Sequence, residues 1–125
     1  MTTLRVGIAS YGEMKAMTIA VARGQRKLSS HEPRIWFAST ESFAKVLSEG
    51  NRRLLNLIAE KAPESLDELV ALSGRQKSNL SRTLKAMSNY GLVKLDRGSR
   101  GRLTPRVLHE RIELDLPLIR GEDAA

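Results

Sequence analysis

The residues best suited to chemistry in this chain are basic, and they are concentrated in one stretch. Between Arg75 and Arg106, nine lysines and arginines stand against a single acid, Asp96, whereas the rest of the chain has 12 basic and 13 acidic residues. Guanidinium and ammonium groups donate charge-assisted hydrogen bonds to phosphates and other anions. A basic stretch on a nearly neutral body is therefore typical of a polyanion binder, most often of nucleic acid. A merely solubilising surface would mix both signs.

The first group of these residues lies at the start of a predicted helix. Leu80, Leu84 and Met87 recur at helical spacing, which predicts a helix over 76–89 with these three side chains in the core. The polar residues at the beginning of this helix are then left facing outward. A helix that enters the major groove by its N-terminal end presents such groups to base edges.

Seven side chains in and before this helix are candidate DNA contacts. Amides such as Gln76 and Asn79 can form two hydrogen bonds with adenine, and Lys77 or Arg82 can bond to guanine. Solvent exposure or local backbone bonding is the alternative for Ser78 and Asn79, and phosphate contact is the alternative for the basic residues. The full set is Arg75, Gln76, Lys77, Ser78, Asn79, Arg82 and Lys85.

The second basic group lies in a predicted hairpin. Strands over 92–96 and 102–104 flank a turn that contains two glycines. The turn can reach the minor groove or the flanking phosphates. We expect Asp96 to orient an arginine of this hairpin through a charge-assisted bond. The candidate arginines here are Arg97, Arg100 and Arg102.

Three regions must position these groups. The pattern of the first region, 1–39, predicts a strand, a helix and a second strand. In the helix, Met14, Met17 and Val21 recur at helical spacing and form an apolar stripe suited to a core or a dimer surface. The second, 40–106, predicts four helices and the hairpin. The third, 107–125, predicts a strand over 111–118 followed by a frayed tail.

The helix boundaries of the second region follow from capping and breaking residues. We expect its first helix to end near Gly50 and its second before Pro63. Ser65 and Glu68 form a Ser-x-x-Glu capping box, which predicts two reciprocal bonds at the start of the third helix. Gly91 is the expected C-terminal cap of the fourth.

Composition excludes several classes of protein. A chain of 125 residues is expected to form one domain, or one domain with short extensions, and the lack of cysteine excludes a disulfide framework and a thiolate site. It has no apolar stretch long enough for a membrane span and no secretory signal, so we expect a soluble, cytoplasmic protein. His31 and His109 show no metal-ligand spacing, and no nucleophile elbow or phosphate loop is present. We therefore expect neither enzyme activity, nor a metal, nor a cofactor.

The order of these elements resembles the winged helix-turn-helix of MarR- and ArsR-type transcriptional regulators. The residues that support the resemblance are Glu68-Leu69, Leu80-Ser81-Arg82, Leu84-Lys85, Tyr90-Gly91-Leu92-Val93, Asp96-Arg97 and Arg102-Leu103-Thr104. The resemblance implies an α+β fold, double-stranded DNA as the partner, and a homodimer. Arg75 replaces the apolar residue usual in the interhelical turn, so we expect that turn to be wetter or longer.

The chain departs from MarR-type proteins after Thr104. Where those proteins continue into long dimer helices, Pro105 intervenes here and a strand pattern follows. We therefore expect a sheet made of Leu4–Ile8, Ile35–Phe37 and Ile112–Leu118, formed either within one chain or between subunits.

The whole layout also resembles a family of MarR-like DNA-binding proteins of archaea and bacteria. The shared segments are the first strand and helix, Ile35–Ala38, Ser42–Ser48 and Arg111–Pro117. Members of this family often look like antitoxins, which implies a repressor that also masks a toxin-like protein. The alternative is a protein-interaction module that binds a toxin or the transcription machinery and has weak, non-specific affinity for DNA.

Overall fold

The computed structural model describes residues 2–24 and 33–119, and these form five helices and two sheets. The predicted α+β class is confirmed. The expected fraying of the tail over 120–125 lies outside the described residues. None of the helices in the described ranges is long and apolar enough to cross a membrane.

The elements follow one another along the chain with short connections. A 3₁₀ turn over Ser99–Gly101 connects the strand Val93–Arg97 to the strand Leu103–Val107. The elements in order are β1 (Thr3–Ile8), α1 (Tyr11–Ala22), β2 (Ile35–Phe37), α2 (Thr40–Val46), α3 (Glu49–Lys61), α4 (Leu66–Ser73), α5 (Lys77–Asn89), β3 (Val93–Arg97), β4 (Leu103–Val107) and β5 (Arg111–Asp115).

The larger sheet has three parallel strands in the order β2-β1-β5. Val6 of β1 lies opposite Ile35 on one side and Leu114 on the other, so the apolar residues of all three strands share one face. The predicted sheet is confirmed, and it forms within one chain. β5 ends at Asp115 rather than 118, because the described pairing with β1 stops opposite Gly7, shortly before Ser10 starts α1.

The sheet and the helices share one hydrophobic core. Val6 and Phe37 of the sheet belong to the same buried cluster as Leu69 of α4 and Leu84 of α5. The ring of Phe37 stacks on Tyr90 with centroids 4.1 Å apart and meets Phe43 edge-on at 5.2 Å. The N-terminal extension therefore packs against the helical region as part of one body.

Capping side chains decide the helix boundaries, and the predicted end of α2 at Gly50 is wrong. Gly50 lies in the first turn of α3 instead of ending α2, because the hydroxyl of Ser48 accepts a hydrogen bond from the Asn51 N–H (3.2 Å) and starts a new helix. Ser65 caps α4 as predicted by accepting from the Glu68 N–H (3.1 Å).

The second bond of the predicted capping box at α4 goes to a different residue. The carboxylate of Glu68 accepts from the N–H of Glu64 (3.1 Å) instead of from that of Ser65. A box with both bonds does occur at α1, between Ser10 and Glu13, where it was not predicted.

Helix α1 does not place its methionines in the core. Met14 and Met17 are half-buried and Val21 is exposed, and α1 contributes no buried residue to the described structure. The apolar residues of α1 are spread around the helix, so no single face can be buried by packing on one side.

Replacing Gly7 by alanine should destabilise the sheet, because an added Cβ would overlap the six-membered ring of Trp36. Overpacking of this kind costs about 1–3 kcal/mol. We expect Gly7→Ala to lower the free energy of unfolding by that amount in urea denaturation. The loss should disappear in a Trp36→Leu background, and an unchanged stability of the single variant would contradict this account of the packing.

Candidate nucleic-acid interface

The start of α5 combines a fixed inner side with a polar outer side. Leu80, Leu84 and Met87 are completely buried, which confirms their predicted place in the core. These three side chains set the rotation of the helix about its axis, so the residues between them must face outward. Six of the candidate side chains are exposed, namely Gln76, Lys77, Ser78, Asn79, Arg82 and Lys85.

The N-terminus of α5 lacks the side-chain cap that starts the other four α-helices. A serine hydroxyl caps each of those helices, whereas Gln76 takes the capping backbone conformation without a cap bond from its side chain within residues 33–119. Backbone N–H groups of the first turn are therefore left without a side-chain acceptor. Together with the helix dipole, such groups favour an anion beside this end.

An ion pair joins α5 to α4. The Lys77 ammonium lies 2.9 Å from a carboxylate oxygen of Asp67, and both side chains are largely exposed. Pairs this exposed contribute between zero and about 1 kcal/mol. Lys77 is thus partly neutralised but remains at the surface.

Arg75 differs from the other candidates because it is half-buried and bonded inside the protein. Its Nη1 donates to Oδ1 of Asn51 (3.0 Å), and Nδ2 of Asn51 donates to the carbonyl of Val46 (3.0 Å). This chain of bonds fastens the α4–α5 connection to the start of α3. The connection comprises only 74–76, and its arginine packs inward rather than making it longer.

The hairpin β3–β4 presents the second group of candidates at its end. Arg97 pairs with Leu103 at the last position of the ladder, and the Gly98 N–H donates to the Arg102 carbonyl (2.7 Å) across the turn. The turn requires positive φ at Arg100 (61°) and Gly101 (72°). The candidate arginines of the hairpin, Arg97, Arg100 and Arg102, are all exposed.

Asp96 bonds to an arginine, as predicted, but the candidate set omits that arginine. Its carboxylate lies 2.8 Å from Nε of Arg106 on β4 and 3.3 Å from the ammonium of Lys94 on its own strand. In the ladder, Arg106 lies opposite Lys94 and therefore diagonal to Asp96. The predicted strand over 102–104 ends before Arg106, so the sequence pattern did not indicate this contact. Lys94 and Arg106 therefore extend the basic surface along the hairpin.

The hairpin is attached to the helices at both of its strands. Gly91 (φ 74°) ends α5, and the Leu92 N–H donates back to the Met87 carbonyl (2.9 Å), so β3 leaves the helix in a fixed direction. On β4, the Thr104 hydroxyl donates to the Glu64 carbonyl (2.7 Å). The candidates thus lie in two groups, one at the start of α5 and one on the hairpin, carried by a single packed unit.

Comparison with known protein families gives a match over the central part of the chain. The model of the HVO_A0114 family matches residues 46–114, which is 69 of the 125 residues and includes all ten candidates. No curated protein and no solved structure matches the chain.

Alanine at two arginines should separate a positioning role from an interface role. Arg75→Ala removes a half-buried bond of a charged group, and we expect it to lower the free energy of unfolding by about 1.5–3 kcal/mol. Arg82→Ala, at an exposed site on α5, should change it by no more than about 0.5 kcal/mol. Urea denaturation measures both values, and equal losses would contradict the assignment of Arg75 to the interior.

Proposed function

The chain belongs to the HVO_A0114 family, and we propose that it is a transcriptional regulator that binds specific sites on double-stranded DNA. In this proposal α4 and α5 act as a helix-turn-helix and the β3–β4 hairpin acts as its wing. The start of α5 enters the major groove, and the hairpin binds the backbone or minor groove beside it.

The observation that supports the proposal most is the contrast between the two sides of α5. Its apolar side is completely buried, while the stretch over 76–85 presents two amides, two serines and three cations to solvent, all of them exposed. A helix held this firmly can present its polar side in one orientation. This arrangement favours base reading, because hydrogen bonds to base edges require side chains placed to within a fraction of an ångström.

The internal bonds suggest different roles for eight of the ten candidates. Gln76, Asn79 and Arg82 have no side-chain bond or ion pair among the described residues, so we propose that they contact bases. Lys85 and the hairpin arginines, together with the uncapped start of α5, are proposed to contact phosphates. Arg75 is proposed to act through position, because it holds the α4–α5 connection against Asn51.

The regulatory role that we propose is repression of transcription. Repression is the simplest outcome, since a protein that occupies a promoter hinders transcription by its presence alone. Binding rather than catalysis would then be the activity, and the cytoplasm its location. The toxin-like partner implied by the resemblance to antitoxins stays a prediction.

Titration of two duplexes tests the proposal. We expect the protein to bind the DNA upstream of its own coding region at least 10³-fold more tightly than a scrambled duplex, as specific regulators do. Affinity for both duplexes should fall steeply with salt, with a slope of about −0.9 in log–log form for each neutralised phosphate. Equal affinity for the two duplexes in fluorescence anisotropy, combined with co-purification of a neighbouring gene product, would favour the interaction module instead.

Arg82→Ala tests base reading by α5. If Arg82 bonds to a guanine, its loss should cost about 1–3 kcal/mol at the specific site and much less on the scrambled duplex. A uniform loss on both duplexes would make Arg82 a phosphate contact. Lys15→Ala, which removes one exposed cation from α1 outside the matched span, is the control for net charge; if both variants bind alike, α5 is not the reading helix.

Arg100→Gly should separate stability from DNA binding at the hairpin. Arg100 is held at φ 61°, a conformation that costs a residue with a side chain about 1–2 kcal/mol, whereas glycine adopts it freely. We expect the variant to be at least as stable as the wild type in thermal denaturation. At the same time, the salt dependence of its DNA binding should become shallower by about one phosphate contact. Unchanged DNA binding would remove the hairpin turn from the interface.

A further inference from the structure

Strand β5 is an edge strand whose outer side has no partner among the described residues. The sheet order β2-β1-β5 leaves the backbone groups on the far side of β5 without a strand partner in 2–24 and 33–119. Exposed edges of this kind are templates for pairing with another strand, and proteins usually cover or disrupt them. β5 is five residues long, contains neither proline nor a bulge within its ladder, and is largely exposed.

The sequence of β5 is complementary to itself in the antiparallel direction. When two copies are aligned with Glu113 at the centre, Arg111 of each lies opposite Asp115 of the other, and Ile112 lies opposite Leu114. Residues directly opposite each other in an antiparallel pair share a face, so two charge pairs form on one face and two apolar pairs on the other. Among the described residues, the side chains of Arg111 and Asp115 form neither a hydrogen bond nor an ion pair.

The central position would bring two carboxylates together, and β1 provides the charge that compensates them. Nη1 of Arg5 donates to the Glu113 carboxylate at 2.8 Å within each chain. The centre of the paired strands therefore contains two arginines and two glutamates. Nε of Arg5 is buried without a partner in the described chain, so a single copy leaves this guanidinium incompletely bonded.

The leucines of β5 and of the residues that follow it expose apolar surface that a second copy could bury. Leu114 and Leu116 are 37% and 42% exposed, and Leu118, further along the same alternation, is 95% exposed. Beside them a groove of about 1300 Å³ runs between β5 and the helices α2 and α3, with Phe43, Leu47, Leu55 and Leu108 in its lining. In the antiparallel arrangement, the Leu116–Leu118 end of one copy runs towards the Leu108 end of this groove in the other.

The other edge of the sheet is less suited to pairing. β2 has three residues, none of them charged, and its Trp36 is folded over Gly7 of the neighbouring strand. It offers fewer backbone groups than β5 and no charge pair that would fix a register.

We propose that a second copy of this chain pairs its β5 antiparallel to β5, centred on Glu113, and forms a continuous six-stranded sheet across a two-fold axis. The axis of such a pair stands perpendicular to the sheet, so the same face of both sheets lies on the same side. Because α4 and α5 pack on the face that carries Val6 and Phe37, both copies hold these two helices on the same side of the sheet, as two DNA-binding units must if they are to meet one duplex. The pairing itself does not depend on DNA.

Two charge reversals test both the partner and the register. Arg111→Glu places a glutamate opposite Asp115 twice in each dimer, and Asp115→Arg places an arginine opposite Arg111 twice. Directly opposed like charges destabilise a pair, so each variant alone should raise the dimer dissociation constant at least about tenfold in sedimentation equilibrium. Both positions are exposed, and circular dichroism should show unchanged helix content.

Mixing the two variants restores opposite charges at both positions, but only in the proposed register. We expect the equimolar mixture to form a heterodimer with twice the 13.9 kDa mass of the chain, and the double variant Arg111→Glu/Asp115→Arg to dimerise by itself. A monomeric wild type at micromolar concentration would overturn the proposal. So would a mixture that stays monomeric, or an Asp115→Arg variant that dimerises like the wild type, since the latter would indicate a different register.

Measuring mass without DNA keeps this inference separate from the proposed function. A dimer that shows no preference between duplexes would contradict DNA reading and leave the β5 pairing intact. A chain that prefers its own upstream DNA but remains a monomer in solution would contradict the β5 pairing alone.

Discussion

The buried ring of Phe37 joins the three-stranded sheet to the helical region, because it contacts aromatic rings from two other parts of the chain. It ends β2, stacks on Tyr90 directly after α5 and meets Phe43 of α2 edge-on. A parallel sheet of three strands must bury at least one face, and here the helical region provides the cover. The direction of α5, and with it the place of every candidate side chain on that helix, depends on this shared core.

Polar contacts fix the α4–α5 connection and the β3–β4 hairpin, which the hydrophobic core does not hold by itself. Arg75 and Asn51 hold the connection between α4 and α5, and Thr104 holds the hairpin to the loop before α4. Each of these contacts is made by a polar side chain that, from its residue type alone, would be expected to face solvent or bind a ligand. One of the nine basic residues of the central stretch is consequently structural, and the other eight remain at the surface.

Local signals predicted most of the elements and several of their ends. The spacing of Leu80, Leu84 and Met87 predicted both α5 and its buried side, and alternation predicted β1 and β5, two of the three strands of the larger sheet. The failures occurred where a boundary depended on competition. Gly50 is a common helix terminator, but the Ser48 cap two residues earlier starts α3 and includes Gly50 in it. Glu68 had two backbone N–H groups within reach, and only the folded loop shows that it bonds to Glu64.

The sequence by itself determined the composition of the basic stretch, the period of each element and the self-complementary order of charges in β5, because these are properties of neighbours along the chain. Tertiary structure alone decided that Arg75 turns inward, that Asp96 bonds to Arg106, and that β5 joins β1 with one edge left open. The physical reason is the same in each case. These contacts join residues whose distance in space is set by packing, and periodicity contains no information about which distant segment will lie alongside.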